Sequence, residues 1–192
     1  MASPSEHRPH VEHLVHEIDR PEPFRLRDGR TVVLRRIRPD DATALMRGFR
    51  ELSPETVRLR FFAPLRELNP QFARRLADVD FVDRAAFVAT LPGCDRVVAV
   101  GRYDRIGPAT AEVAFVTLDR LQGQGIASHM FWHLVQLARR NHIQRFVATV
   151  LPENQTVLRM LRATGFPMRT RRSGSIVEVE LEMAQRESAA GA

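Results

Sequence analysis

The segment Gln122-Gly123-Gln124-Gly125-Ile126-Ala127 carries the residue types best suited in this chain to holding an anion. Its glycines let backbone N–H groups approach a ligand without a Cβ in the way. The run 110–117 (TAEVAFVT) ahead of it is rich in β-branched and apolar residues and predicts a strand. Behind it, Ile126, Met130, Phe131, Leu134, Val135, Leu137 and Ala138 recur at spacings of three and four, so a helix begins inside the segment. The unpaired N–H groups and the dipole at that helix start favour negative charge, and the expected ligand chemistry is a pyrophosphate. Glu112 lies on the strand leading to this loop, and alternation puts it on one face with Ala114 and Val116.

Two well-known phosphate loops fit poorly. A Walker A loop requires a lysine, and all 29 basic residues here are arginine. A Rossmann fingerprint needs a third glycine where Ser128 stands, and no acidic residue closes the next strand-like run, 146–150. The segment instead resembles Q/R-x-x-G-x-G/A, the acetyl-CoA loop of the GNAT superfamily of N-acetyltransferases. Further along, 154–166 (NQTVLRMLRATGF) is similar to the helix and strand start that close GNAT domains. Read by itself, Asn154 suits an N-cap, and Val157, Leu158 and Leu161 make an apolar stripe. In the first half, 26–30 (LRDGR), 34–41 (LRRIRPDD), 52–55 (LSPE) and Arg60-Phe61-Phe62 resemble the acetyltransferase domain of bacterial protein lysine acetyltransferases, which modify acyl-CoA synthetases.

That resemblance implies acetyl-CoA as cosubstrate and no metal. It implies coenzyme contacts at Gln122, Gly123, Gln124, Gly125, Ile126, Ala127 and Asn154, with the pantetheine arm along the backbone of Phe115, Val116 and Thr117 like an added strand. It also implies Glu112 as general base. A protonated amine cannot attack a thioester, and with a lysine pKa of about 10.4 less than about a thousandth is free at neutral pH. A carboxylate flanked by Val113 and Phe115 is expected to titrate high, as a base working near neutrality needs. No general acid is assigned. Leu161 stands where many GNAT enzymes have a tyrosine, Tyr103 lies on an earlier strand, and a thiol of pKa about 8.5 departs without strong help. The acceptor implied is a lysine of a protein such as an acyl-CoA synthetase. Two other readings are a small-amine (polyamine or antibiotic) acetyltransferase, with Asp78, Asp80 and Asp83 lining an acidic pocket, and a non-catalytic acyl-CoA-binding or nucleic-acid-binding module. Glu112 argues against the last.

The elements that must position these residues follow from pattern. Strands are predicted at 31–37, 85–90, 97–104, 111–117, 146–150, 166–171 and 175–183. Helices are predicted from Asp40, as cap, to about Leu52, from Pro54 to Phe62, from near Pro70, after the glycine loop, and after Asn154. This is an α/β (α+β) order, that of a GNAT fold: a mixed, largely antiparallel sheet of six to seven strands flanked by four to five helices. The domain is expected over 24–183, between a polar arm, 1–23, and a loose tail, 184–192. His7, His10, His13 and His16 recur every third residue in the arm, but Pro9 disfavours a long helix there and no metal site is expected. His129, His133 and His142 are expected at the surface or an interface.

With 192 residues, 44% of them hydrophobic, the chain can bury a full core. The N-terminus has no apolar segment after its polar start, which points to a cytoplasmic protein without a membrane partner. One cysteine, Cys94, excludes an internal disulfide. The net charge of +6 is dispersed except at Arg35-Arg36-Arg38 and Arg169-Arg171-Arg172, and aromatics are only 7%, so no nucleic-acid partner is expected. The positive field suits coenzyme phosphates and an acidic protein surface.

Overall fold

The structure, a computed structural model, describes residues 20–183. All of the expected tail and most of the expected arm, with its four histidines, lie outside the described residues. Eight strands form one sheet in the order β1-β2-β3-β4-β5-β6-β8-β7. They are β1 (Glu22–Arg25), β2 (Thr31–Arg36), β3 (Arg84–Thr90), β4 (Val97–Gly107), β5 (Thr110–Thr117), β6 (Arg145–Val150), β7 (Met168–Ser173) and β8 (Ile176–Glu182). Every neighbouring pair is antiparallel except β5 and β6.

The strand beyond the six or seven expected is β1, which crosses the boundary drawn at Phe24. Its four residues, EPFR, are too few to show alternation, and Pro23 argues against a strand. Because β1 is an edge strand that pairs only with β2, the missing N–H of Pro23 costs no ladder bond from a central position.

Both faces of the sheet are covered. On one, α1 (Ala42–Arg50), α2 (Pro54–Phe61) and α3 (Pro70–Ala77) pack over a core that includes Leu45, Phe49, Val57, Ala73, Ala86 and Val88. On the other, α4 (Ile126–Arg140) and α5 (Gln155–Arg162) cover Ala85, Phe87, Ala89, Met130, Phe131 and Leu161. Alternate residues of β3 thus enter opposite cores, which is why the strand reads as a continuous apolar run. Close approach needs Gly101 in β4, where an added Cβ would stand 2.9 Å from the Phe115 ring and 3.1 Å from Met130 Cβ.

The start of α1 corrects one expectation. Asp41, not Asp40, organises it from a short 3-10 turn, Pro39–Asp41. The buried Asp41 carboxylate accepts the Arg38 N–H at 2.7 Å and two guanidinium N–H bonds from Arg35, each 2.7 Å. Burial opposes the charge on Asp41, but the bonds from Arg35 and Arg38 outweigh it and hold the carboxyl below its usual range. Arg35 is therefore spent inside the molecule, and Arg36 lies over the Phe81 ring at 4.5 Å. The first arginine cluster does not form a free basic patch.

A cleft where two parallel strands part

Strands β5 and β6 pair over three residues only, Thr110–Glu112 against Arg145–Val147. Beyond Glu112 they diverge, β5 still held by β4 through Thr117 and β6 by β8 through Val150. The parting leaves the β6-facing backbone of Val113 to Thr117 without a ladder partner. Against the unpaired end of β5 lies a cleft of about 440 Å³, within the range of about 300–1,000 Å³ usual for ligand sites.

Nine of the ten residues expected to hold the coenzyme line this cleft. Phe115, Val116 and Thr117 supply the β5 side; Gln122, Gly123, Gly125, Ile126 and Ala127 supply the loop and the start of α4; Asn154 supplies the start of α5. Gln124 is the exception: its Oε1 accepts the Asp28 N–H at 3.1 Å, tying the loop to the β1–β2 turn. Gly123 and Gly125 have φ of +74° and +91°, so glycine is required there by the backbone. The loop carbonyl of Gly125 accepts the His129 N–H at 3.0 Å, which starts α4 and leaves the N–H groups before it for a ligand. Asn154 caps α5 with its side chain, accepting the Val157 N–H at 3.3 Å.

Gln122 is more builder than ligand. Its Nε2 donates to Thr117 O at 3.2 Å and to Thr56 Oγ1 at 3.1 Å, joining the end of β5 to α2. Asp119 extends this clamp, accepting from Ser53 N, Ser53 Oγ and Thr56 Oγ1 at 3.0, 2.6 and 2.8 Å. Burial works against its charge, yet the hydrogen bonds from Ser53 and Thr56 hold its carboxyl below the ordinary value. Sequence reading missed this clamp, although Ser53 before Pro54 is a legible cap and does accept the Thr56 N–H. It also gave no site role to Arg27, Arg60 and Arg159 on the cleft wall: Arg27 and Arg60 entered only as part of resembling motifs, and among 29 arginines with no lysine none stands out by type.

Glu112 stands at the vertex, in the last parallel pair before the strands part. It lines a small pocket of about 50 Å³ together with Thr149 and Leu161, and five of that pocket's walls, Leu59, Arg60, Phe115, Asn154 and Val157, also line the main cleft. Thr149 Oγ1 donates to Glu112 Oε1 at 3.4 Å. The expected burial is not found: Glu112 is exposed, because Val113 turns into the core while the neighbouring Glu112 side chain turns away from it. The half-buried guanidinium of Arg60 lies within its field; burial, then repulsion from Arg102, presses Arg60 down to about 10, still charged at neutral pH.

Other candidates are placed elsewhere. Asp80 caps the turn before β3, accepting the N–H groups of Val82, Asp83 and Arg84, and Asp83 pairs with Arg105 at 2.6 Å. With Asp78 at the end of α3, none of the three lines the cleft or the Glu112 pocket. Tyr103 is fully buried, donating to Val82 O at 3.1 Å, and burial raises its pKa. Leu161 does line the Glu112 pocket. His133, expected at the surface or an interface, is 5% exposed, and burial, then its neighbour His129, pushes its pKa down to about 4.

A sheet split beside a glycine loop at a helix start is the frame of an acyl-CoA transferase, and the comparisons agree. The chain belongs to the GNAT acetyltransferase family, whose domain matches residues 31–167. It is an acyltransferase with acetyl-CoA as cosubstrate. It is 31% identical over 144 residues to an acetyltransferase of Pseudomonas aeruginosa, covering 73% of this chain and 77% of that protein. It is 33% identical over 147 residues to acetyltransferase Pat of Mycolicibacterium smegmatis, covering 76% of this chain and 44% of that protein. The GNAT domain of S. lividans PAT superimposes with a TM-score of 0.78 at 35% identity, over 84% of this chain and 96% of that one. The chain thus spans less than half of Pat and nearly all of the PAT domain. Among the described residues no helix is long and apolar enough to cross a membrane.

Proposed function

We propose that this protein acetylates lysine side chains of other proteins in the cytoplasm, acyl-CoA synthetases among them, with 24–183 as the catalytic domain. The observation that carries this reading is the position of Glu112 at the vertex of the split, in an open pocket continuous with the cleft. In this reading the pyrophosphate rests on the N–H groups at 123–127, and the pantetheine runs along Phe115 to Thr117, satisfying the backbone groups that β6 leaves unpaired. The thioester then arrives beside Glu112, which takes the proton of the incoming ammonium so that the amine attacks the carbonyl and the coenzyme leaves as thiolate. An exposed Glu112 favours a side chain presented from a protein surface over a small amine enclosed by carboxylates, and Asp78, Asp80 and Asp83 build no such enclosure. The resemblance to Pat enzymes supports the same acceptor class. Incubating the protein and acetyl-CoA with a cell lysate, then mapping acetyl-lysine by mass spectrometry, tests it. Sites that appear only with active enzyme support the proposal; acetylation of polyamines without any protein site would refute it.

A further inference from the structure

Outside the lining of the cleft, between α4 and β1, three donor groups converge that the acyl-transfer reading does not use. His129 and His133 are four residues apart on α4 and share a face. Glu22 of β1 lies opposite them, brought there because Glu22 and Phe24 turn inward while Pro23 and Arg25 turn out. His129 Nε2 is 2.9 Å from Glu22 Oε1, His133 Nε2 is 3.3 Å from Glu22 Oε2, and the two Nε2 atoms are 3.4 Å apart.

Those spacings have a meaning in coordination chemistry. Zinc bound to imidazole nitrogen and carboxylate oxygen at about 2.0–2.1 Å in a tetrahedron separates its donors by about 3.3 Å. The two imidazole nitrogens already stand at that edge length, and the carboxylate spans them, one oxygen toward each, so that one donor atom from each residue lies within 4.8 Å of the others. A small turn of the Glu22 side chain brings a single oxygen into the tetrahedron. Hydrogen bonding accounts for the arrangement less well. Glu22 Oε2 is buried and accepts no hydrogen bond from the described residues, though such an atom ordinarily has a partner. Both imidazoles aim the same nitrogen at one carboxylate and at each other. The ligand set, two histidines and a carboxylate, suits zinc and the other first-row divalent ions of borderline softness, and leaves a fourth position for water.

We infer that Glu22, His129 and His133 form a binding site for one zinc-class divalent cation, with Nε2, Nε2 and a carboxylate oxygen as ligands. The ion is structural. It would pin the edge strand β1, which otherwise pairs with β2 alone, to the first turns of α4. It would also brace the loop, since the His129 ring stacks on Phe24 at 4.3 Å and Phe24 Cζ would lie 3.6 Å from a Cβ at Gly125.

Metal content tests this without any activity measurement. His7, His10, His13 and His16 could bind zinc on their own, so the test uses the full chain with all four changed to asparagine; His142 is then the one other histidine. Equilibrated with zinc and dialysed, this protein should retain one equivalent by elemental analysis, and Co²⁺ in its place should give the intense visible bands of a tetrahedral site. Glu22→Gln, which keeps the side chain's shape, and His133→Gln should each lose that equivalent, and zinc should raise Tm only where Glu22 is intact. Circular dichroism establishes that the variants fold, and Glu22→Gln alone decides the matter should His133→Gln not. Retention of no metal, or of a full equivalent in folded Glu22→Gln, would overturn the site and leave a hydrogen-bonded cluster.

Discussion

Replacing Glu112 by glutamine separates chemistry from binding. Thr149 Oγ1 can still donate to the amide oxygen, so the side chain keeps its anchor and loses only its basicity. Glu112 does not line the main cleft, so KM for acetyl-CoA should stay within about twofold of wild type, as expected when an interaction made only in the transition state is removed. Turnover at pH 7 should fall about 10²–10⁴-fold, the usual loss for a positioned base. The pH profile sharpens this. For an acceptor lysine with pKa about 10.4, roughly 4 × 10⁻⁴ is free amine at pH 7, and each pH unit raises that about tenfold. The variant must rely on that fraction, so its rate should climb about tenfold per pH unit and recover much of the deficit by pH 9, while wild type changes less. Steady-state kinetics with a peptide acceptor over pH 6.5–9.5 would measure both. Near-wild-type turnover at pH 7, or a loss confined to KM, would refute the assignment of Glu112 as base.

Other perturbations read other parts of the structure. Gly125→Val forces a β-branched residue to φ +91° at the helix start, and calorimetric titration should show acetyl-CoA binding weakened at least tenfold in a protein that still folds; unchanged affinity would make the loop a mere connector. Gln122→Ala removes the bonds to Thr117 O and Thr56, each worth about 0.5–1.5 kcal/mol, so KM for acetyl-CoA should rise several-fold with kcat little changed. Asp41→Asn leaves the Arg35 guanidinium buried without its counter-charge and should cost about 3–5 kcal/mol by chemical denaturation. The Asp41 carboxyl is held below its ordinary value in the folded protein, so its contribution is complete above the unfolded value of about 3.9 and fades as pH falls through the lower folded value. Wild type should therefore lose its advantage over Asp41→Asn on acidification below about pH 4, and a constant difference down to pH 2 would contradict the pair.

What was legible in the chain was whatever a local pattern carries. The β3–β4–β5 meander, the loop, α4 and the Asn154 cap each follow from alternation, glycine placement or helical spacing. Two of the misses turn on side-chain partners that no local pattern names. Nothing in EPFR indicates that β2 will accept it as a neighbour, or that Glu22 will meet two histidines more than a hundred residues later. Asp41 and Asp40 are equivalent to a capping rule, and only Arg35, six residues upstream and buried, decides between them. The exposure of Glu112 is a different, local case that alternation already contained. Its apolar neighbours suggested a buried carboxylate, but on a strand those neighbours face the opposite side.

The site's central geometry comes from the length of one ladder. Had β6 followed β5 beyond Glu112, the backbone of 113–117 would have been paired and the cleft closed. The separation is enforced from both sides, by β4 holding β5 as far as Thr117 and by β8 holding β6 as far as Val150. Leu161 and Val157 of α5, with Phe115, line the pocket between the diverging strands. Under the proposed function a single feature therefore accomplishes two tasks: the residue at which pairing stops becomes the base, and the unpaired edge just past it receives the pantetheine. The distance between base and thioester is then set by strand register, a property of the rigid sheet, and not by any mobile loop. That placement agrees with a catalytic group needing positional precision more than burial, and it explains how an exposed glutamate can still be the residue on which the reaction depends.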